Sequence, residues 1–216
     1  ETYSELYNNV GIYGTYNNTI PEGFDNVENM IKVDIKDLNS VNDMFSKLKS
    51  TGYLSEITLI NSAGISYNAF AHKANIDEWK NVIETNVVGT FNVIHTLLPT
   101  MREHNYGRII NFSSVVAQKS TPGVSAYATS KSALWGLAKS ISIENGSKGI
   151  TINNINLGYS ELGMIEQVPD TFKEQIIAQI PNGFLCSKED IISCVESIRN
   201  ISYLNGTSID LNGGIF

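Results

Sequence analysis

The sequence predicts an α/β domain: a doubly wound parallel sheet with helices on both faces. Three observations predict it. Short apolar runs alternate with helix-period segments along the chain, and strand–helix alternation builds parallel sheets. The runs, such as Ile57-Thr58-Leu59-Ile60, are nearly continuous in apolar residues, so both of their faces are covered. Asn61, Ser114 and the Leu157-Gly158 pair each follow a run, and such sheets bind ligands beyond their carboxyl ends. A length of 216 residues fits one domain with a substantial core. No repeat, low-complexity tract or linker interrupts it.

The elements follow in order. Residues 10–16 read as a strand and residues 30–35 as the next. The stretch between them contains Pro21 and Gly23 and has room for barely a turn of helix. A helix is predicted over 40–50, and the third strand ends at Ile60. Trp79, Val82, Ile83, Val87, Phe91, Ile94 and Leu98 keep helical spacing and predict a long helix over 77–101. A strand at 108–112 runs into a Ser-rich loop. The helix that carries Tyr127 continues to about residue 144, with Leu134, Leu137, Ala138 and Ile141 as its apolar stripe. A strand at 150–155, a helix at 188–201 and a strand at 208–211 complete the pattern. Ser187, three residues before Asp190, reads as an N-terminal cap for the last helix.

Composition narrows the function classes. The net charge of -7 and pI near 5.0, without a basic stripe, argue against a nucleic-acid partner. No apolar run reaches the ~18 residues of a membrane span. The two cysteines, Cys186 and Cys194, have neither metal-ligand spacing nor a disulfide framework. The sequence as given shows no secretory signal pattern. A soluble, reducing compartment, the cytoplasm, is therefore expected, with no metal site. His72, His95 and His104 are scattered and read as surface residues. Trp79 and Trp135 read as packing.

The chemistry gathers around one helix. Tyr127 and Lys131 stand four apart in Tyr127-Ala128-Thr129-Ser130-Lys131, which stacks them on one helix face. A free tyrosine titrates near 10 and is a poor acid or base at neutrality, with a pKa of about 10. A neighbouring ammonium is expected to favour phenolate and lower that value. Ser114 lies thirteen residues earlier and offers a hydroxyl to a substrate oxygen. Asn61-Ser62-Ala63-Gly64 follows a strand with small residues, which let a ligand approach the backbone. Asn86 is a polar residue inside the periodic 77–101 helix, open to reading as a solvated residue, a cap or a buried node that holds a water.

Together with Asn86-Val87-Val88-Gly89, Ser113-Ser114 and Asp210-Leu211-Asn212-Gly213-Gly214, these motifs resemble the short-chain dehydrogenase/reductase family. The similarity is greatest to members like the 3-oxoacyl-(acyl-carrier-protein) reductases, from about residue 8 onward. The resemblance implies a single Rossmann-like domain and a nicotinamide cofactor. It makes Tyr127 the general acid/base, with Lys131 lowering its pKa and binding the nicotinamide ribose. Ser114 would orient the substrate oxygen, and Asn86 would anchor a water that relays protons to Lys131. Asn61, Ala63 and Gly64 would line the adenosine side. Asp34, with Ile35 beside it, would contact the adenine, and Gly158 would border the cofactor. Tyr159, just past that edge, is a candidate for substrate contact.

The sequence also departs from the family pattern. It opens Glu1-Thr2-Tyr3-Ser4-Glu5-Leu6-Tyr7, which reads as a helix end, and the family's first strand and Gly-rich phosphate turn are not in it. An incomplete sequence is the expectation. Leu157 and Leu162 replace the family's usual Pro and Thr around Gly158. The second-strand end, Thr15-Tyr16-Asn17-Asn18, has no carboxylate to repel a 2′-phosphate, a lean towards NADP(H) over NAD(H). Residues 160–180 correspond to a substrate-covering loop whose Gly163, Met164, Val168, Pro169 and Phe172 suit an apolar or acyl group. Two readings follow. One is an oxidoreductase that moves a hydride between NAD(P)H and a carbonyl/alcohol pair, with a 3-oxoacyl thioester as default substrate. The other is a non-catalytic relative used for assembly or ligand sensing. The family also implies a homodimer or homotetramer.

Overall fold

The structure, a computed structural model, describes residues 11–20, 29–52, 54–163, 165 and 168–215. Its strands are β1 (Gly14–Tyr16), β2 (Met30–Lys32), β3 (Thr58–Asn61), β4 (Gly107–Ser114), β5 (Ile150–Leu157) and β6 (Ser208–Leu211). The helices are α1 (Leu38–Ser50), α2 (Ile76–Ile83), α3 (Thr90–His104), α4 (Ser125–Asn145), α5 (Asp170–Ile177) and α6 (Lys188–Asn200). All strand pairing is parallel: β3-β4-β5-β6 form one four-stranded ladder and β1-β2 a separate two-stranded one. Among the described residues no ladder joins β1 to β3. Helices join the two pieces instead. Asn92 on α3 donates to the Ile35 carbonyl at 2.9 Å, and Val33 shares a core with Ile109 and Ile152.

The predicted double cover is present. On one face Val41 and Met44 of α1, Val93, Ile94, Leu97 and Met101 of α3, and Ala138 and Ile141 of α4 pack on Ile109, Ile150 and Ile152. On the other, Val195 and Ile198 of α6 pack on Ile110 and Ile155. Successive strand residues point to opposite faces, so burial of both sets is what made the strands read as continuous apolar runs. Each fully buried aliphatic side chain contributes about 1.5–3 kcal/mol.

Several boundaries shift for local reasons. The strand expected over 10–16 is Gly14–Tyr16; Val10 and the opening segment lie outside the described residues. The second strand stops at Lys32 because the chain turns at Asp34, whose carboxylate accepts from the Lys36 amide at 3.0 Å. The first helix begins two residues before its expected start because Asp37 caps it, accepting from the Asn39 amide. The long helix over 77–101 is extended, to Ile76 and His104, and is interrupted by a π turn at Glu84–Gly89. The stretch read as a covering loop contains α5. The Ser187 cap is present as a full capping box with Asp190.

The sheet carries a feature that matters for the site. On its α4-facing side β3, β4 and β5 end in polar residues. Asn61, Asn111 and Asn154 are in register with one another, and Asn154 with Ser208. Their side chains form a continuous rung: Asn61 donates to Asn111 at 2.9 Å, Asn111 to Asn154 at 3.1 Å, and Asn154 to Ser208 at 3.0 Å. A buried amide without a partner costs about 1–3 kcal/mol. Asn111→Ala cuts the rung and leaves the Asn154 oxygen orphaned. It is expected to lower stability by about 1–3 kcal/mol, read in urea denaturation as a lower midpoint at unchanged slope.

Candidate active site

The site forms where β3, β4, the π turn and α4 meet. α4 exposes one stripe to the sheet edge: Tyr127, Lys131 and Trp135 at successive i, i+4 steps. Trp79 of α2 donates its indole N–H to Ser125 at 3.3 Å and ties the start of α4 in place. Lys131 is buried, and its ammonium donates to the Phe112 carbonyl of β4 at 2.7 Å. Ser113 donates back to the Lys131 carbonyl at 2.9 Å, so β4 and α4 are clasped in both directions. The ammonium lies 5.5 Å from the centre of the Tyr127 ring.

Asn86 is 1% exposed. Its amide donates to the Ile65 carbonyl and to Ser130 Oγ, both at 2.9 Å. Its oxygen accepts from the Ile65 amide, also at 2.9 Å. Both amide hydrogens are therefore committed, and Asn86 acts as a bracket that holds the loop after β3 against α4. The π turn that carries it leaves its carbonyl to Thr90 Oγ1 at 2.9 Å; such single-turn bulges recur at functional sites. Gly64 sits inside this bracket. A Cβ there would lie 3.3 Å from Asn86 Oδ1 and 3.4 Å from Lys131 Nζ, so any side chain would press on both groups.

Electrostatics correct one expectation. Lys131 was expected to lower the Tyr127 pKa. Instead burial pushes the phenol above its usual value, and a hydrogen bond with Ser114 pulls the other way. The physical reason is that covering the ring disfavours the charged phenolate. Burial also brings the Lys131 pKa down to about 8.

Thus the structure brings together Ser114, Tyr127, Lys131, Asn86 and Gly64. Asn61 stands one rung away, bonded to Asn111. Ala63 is exposed beside Gly64 on the loop after β3. Asp34 is half-buried beyond β2, its backbone N–H donating to Ser40 at 3.0 Å, and Ile35 packs where a Cβ on Gly89 would meet it at 2.6 Å. Gly158 has a packing reason to be glycine: a Cβ would come within 2.7 Å of Asn212 Cα. Tyr159 lines a different space, a cavity of about 220 Å³ with Ile180, Phe184, Cys186 and Leu211, which neither Ser114 nor Tyr127 borders. Ligand pockets usually run to about 300–1,000 Å³, so this one suits only a small group. Sequence reading missed Ser130, Ser113, Asn111 and Asn154. The available signal was a polar residue at a period that otherwise placed apolar ones. The three histidines are exposed, and both cysteines are free. Among the described residues no cluster fit for a metal occurs, and no helix is long and apolar enough to cross a membrane.

Residues 6–172 match the family described as short chain dehydrogenase. The chain belongs to the short chain dehydrogenase family. Family membership brings a nicotinamide cofactor, and the residues present fit one. The loop after β3 is exposed, and its Gly64 puts no Cβ beside Lys131 Nζ, where one would lie at 3.4 Å. The chain is 39% identical over 159 residues to an acetoacetyl-CoA reductase of Rhizobium meliloti, covering 72% of this chain and 66% of that protein. It is 37% identical over 161 residues to an acetoacetyl-CoA reductase of Shinella zoogloeoides, covering 73% and 67%. A 3-oxoacyl-[acyl-carrier-protein] reductase of Staphylococcus aureus is 34% identical over 188 residues, covering 86% and 76%. The match thus spans about two thirds to three quarters of these relatives' lengths.

Asn86→Ala removes three hydrogen bonds of the bracket. The Ile65 amide is expected to exchange with deuterium about tenfold faster, the worth of roughly one net hydrogen bond. Exchange at the wild-type rate would show that the loop is held by something else.

Proposed function

We propose that the protein reduces the ketone of a 3-oxoacyl thioester to the 3-hydroxyacyl thioester with NADPH. One observation carries the reading: Tyr127 and Lys131 share one face of α4, with the Lys131 ammonium 5.5 Å from the centre of the Tyr127 ring, and Ser114 is near enough to the phenol to pull its pKa down. Two neighbouring hydroxyls suit one carbonyl oxygen. The relatives found are reductases of acetoacetyl-CoA or of 3-oxoacyl-[acyl-carrier-protein]. That supports the thioester substrate and does not favour the non-catalytic alternative.

The bound cofactor supplies the hydride. Ser114 donates a hydrogen bond to the ketone oxygen and orients it. Negative charge grows on that oxygen, and Tyr127 delivers its proton there. A phenol whose pKa is raised is protonated at neutrality and so carries the proton that the reduction needs. Lys131 holds a positive charge near the developing anion. Asn86 keeps the loop at Ile65 in place, and a water relay from Asn86 to Lys131 would have to use the remaining lone pair of its oxygen. Asn61, Ala63 and Gly64 would border the cofactor's adenosine side, with Asp34 and Ile35 near the adenine and Gly158 near the nicotinamide end. The exposed Thr15, Asn17 and Asn18 bring no carboxylate to the end of β1, which supports NADP(H) over NAD(H). Two free thiols support a reducing, cytoplasmic setting. Val88 and Phe91 are 45% exposed on one side of the π turn and α3, which supports pairing with a second copy.

Tyr127→Phe in the purified full-length protein is expected to lower kcat for acetoacetyl-CoA reduction by about 10²–10⁴ while NADPH still binds. Unchanged turnover would overturn the mechanism. The pH dependence follows from Lys131. Its folded pKa is lowered, so the charged form is present below about 8 and lost above it. For reduction, kcat/KM, which reports the free enzyme, should hold on the acid side and fall as pH rises through about 8.

A further inference from the structure

Beyond the rung at Asn61, the α4-facing side of the sheet has a second polar network, nearer its carboxyl edge. Asn156 on β5 is fully buried and is in register with Asp210 on β6. Its amide donates to Asp210 Oδ1 at 2.7 Å. Its oxygen accepts the indole N–H of Trp135 at 3.0 Å. The same Asp210 oxygen accepts from Gln118 Nε2 at 2.9 Å. Trp135 continues the Tyr127–Lys131 stripe by one further i+4 step, and Gln118 lies just past the short 3₁₀ turn, Val115–Ala117, that follows Ser114. One carboxylate oxygen therefore fastens two pieces of chain. Through Asn156 it reaches the helix that bears Tyr127, and through Gln118 the loop that bears Ser114.

We propose that Asp210 is a positioning residue that fixes the Tyr127 helix and the Ser114 loop relative to each other, so that both hydroxyls address one substrate oxygen. The role rests on the reductase reading, but the contacts do not. The division of labour follows from the geometry. Asn156 cannot rotate without losing both partners, because its oxygen is held by Trp135 and its amide by Asp210. With Asp210 removed, the Asn156 amide is buried and unpaired, and its cheapest recovery is to turn away from Trp135. The stripe then loses its anchor one turn beyond Lys131. Gln118 loses its partner at the same moment. Misplacing a reacting group by small amounts costs rate far from the chemistry itself.

Asp210 is exposed on the edge strand, so its substitution spares the core. Asp210→Ala, which loses both hydrogen bonds, is expected to lower kcat for acetoacetyl-CoA reduction about tenfold, roughly 1.4 kcal/mol at the transition state, with the NADPH Kd unchanged. The Trp135 indole N–H, assigned by Trp135→Phe, should exchange about tenfold faster in the NMR spectrum. Asp210→Asn keeps the accepting oxygen and is expected to restore both readouts to near wild type. Gln118→Ala is expected to lower kcat without changing indole exchange, since it cuts only the loop branch. Wild-type kcat and indole exchange in Asp210→Ala would overturn the proposal, and so would an Asp210→Asn variant as impaired as the alanine one. If the wild-type protein reduces no thioester, the reductase reading fails. Indole exchange then still decides whether Asp210 holds the Trp135 anchor.

Discussion

The carboxyl ends of the central strands are buried and polar at once, and the site depends on that constraint. A parallel sheet under two layers of helix has dry faces, yet the residues there are Asn61, Asn111, Ser113, Asn154 and Asn156. Each buried amide or hydroxyl must find a partner or lose about 1–3 kcal/mol. The partners lie across strands and on α4: Asn111 on Asn154, Asn154 on the Leu134 carbonyl, Ser113 on the Lys131 carbonyl. Such bonds allow one register and one rotation of the helix. An apolar interface of the same area would tolerate slippage, because apolar contact is not directional.

That rigidity lets an ionisable pair be buried. Lys131 gives up water for the Phe112 carbonyl, and burial lowers its pKa to about 8. Tyr127 is shifted the other way, towards its neutral form. Both shifts have one cause, since burial disfavours the charged form of each group. Ser114, beside the phenol, opposes the shift. Perturbed groups of this kind gather at functional sites because burial and positioning come from the same packing.

The loop after β3 shows how small residues and one amide shape a binding edge. Ala63 and Gly64 could not form the edge unaided. Asn86, placed by a π turn across from them, holds the Ile65 backbone by both its N–H and its C=O. A helix without the extra residue of the π turn would present its side chains at a different angle. The bulge and the bracket are thus parts of one device. The price in helix regularity is offset by Thr90, which satisfies the Asn86 carbonyl.

Strand–helix alternation, apolar runs and the spacing of Ser114, Tyr127 and Lys131 determined the class of fold, the family and the main site residues. Those signals are local: a period of two or of 3.6, or a step of four along one helix. The capping box at Ser187 was legible for the same reason. The tertiary structure alone decided where polar side chains of different strands meet, since Asn61 and Asn111 are fifty residues apart and only register joins them. It also decided the direction of the Tyr127 shift, because desolvation depends on what covers the ring and spacing along a helix does not. The role of Asn86 as a bracket and the place of Tyr159 in a separate cavity likewise follow from packing between distant segments, which no pattern within one segment encodes.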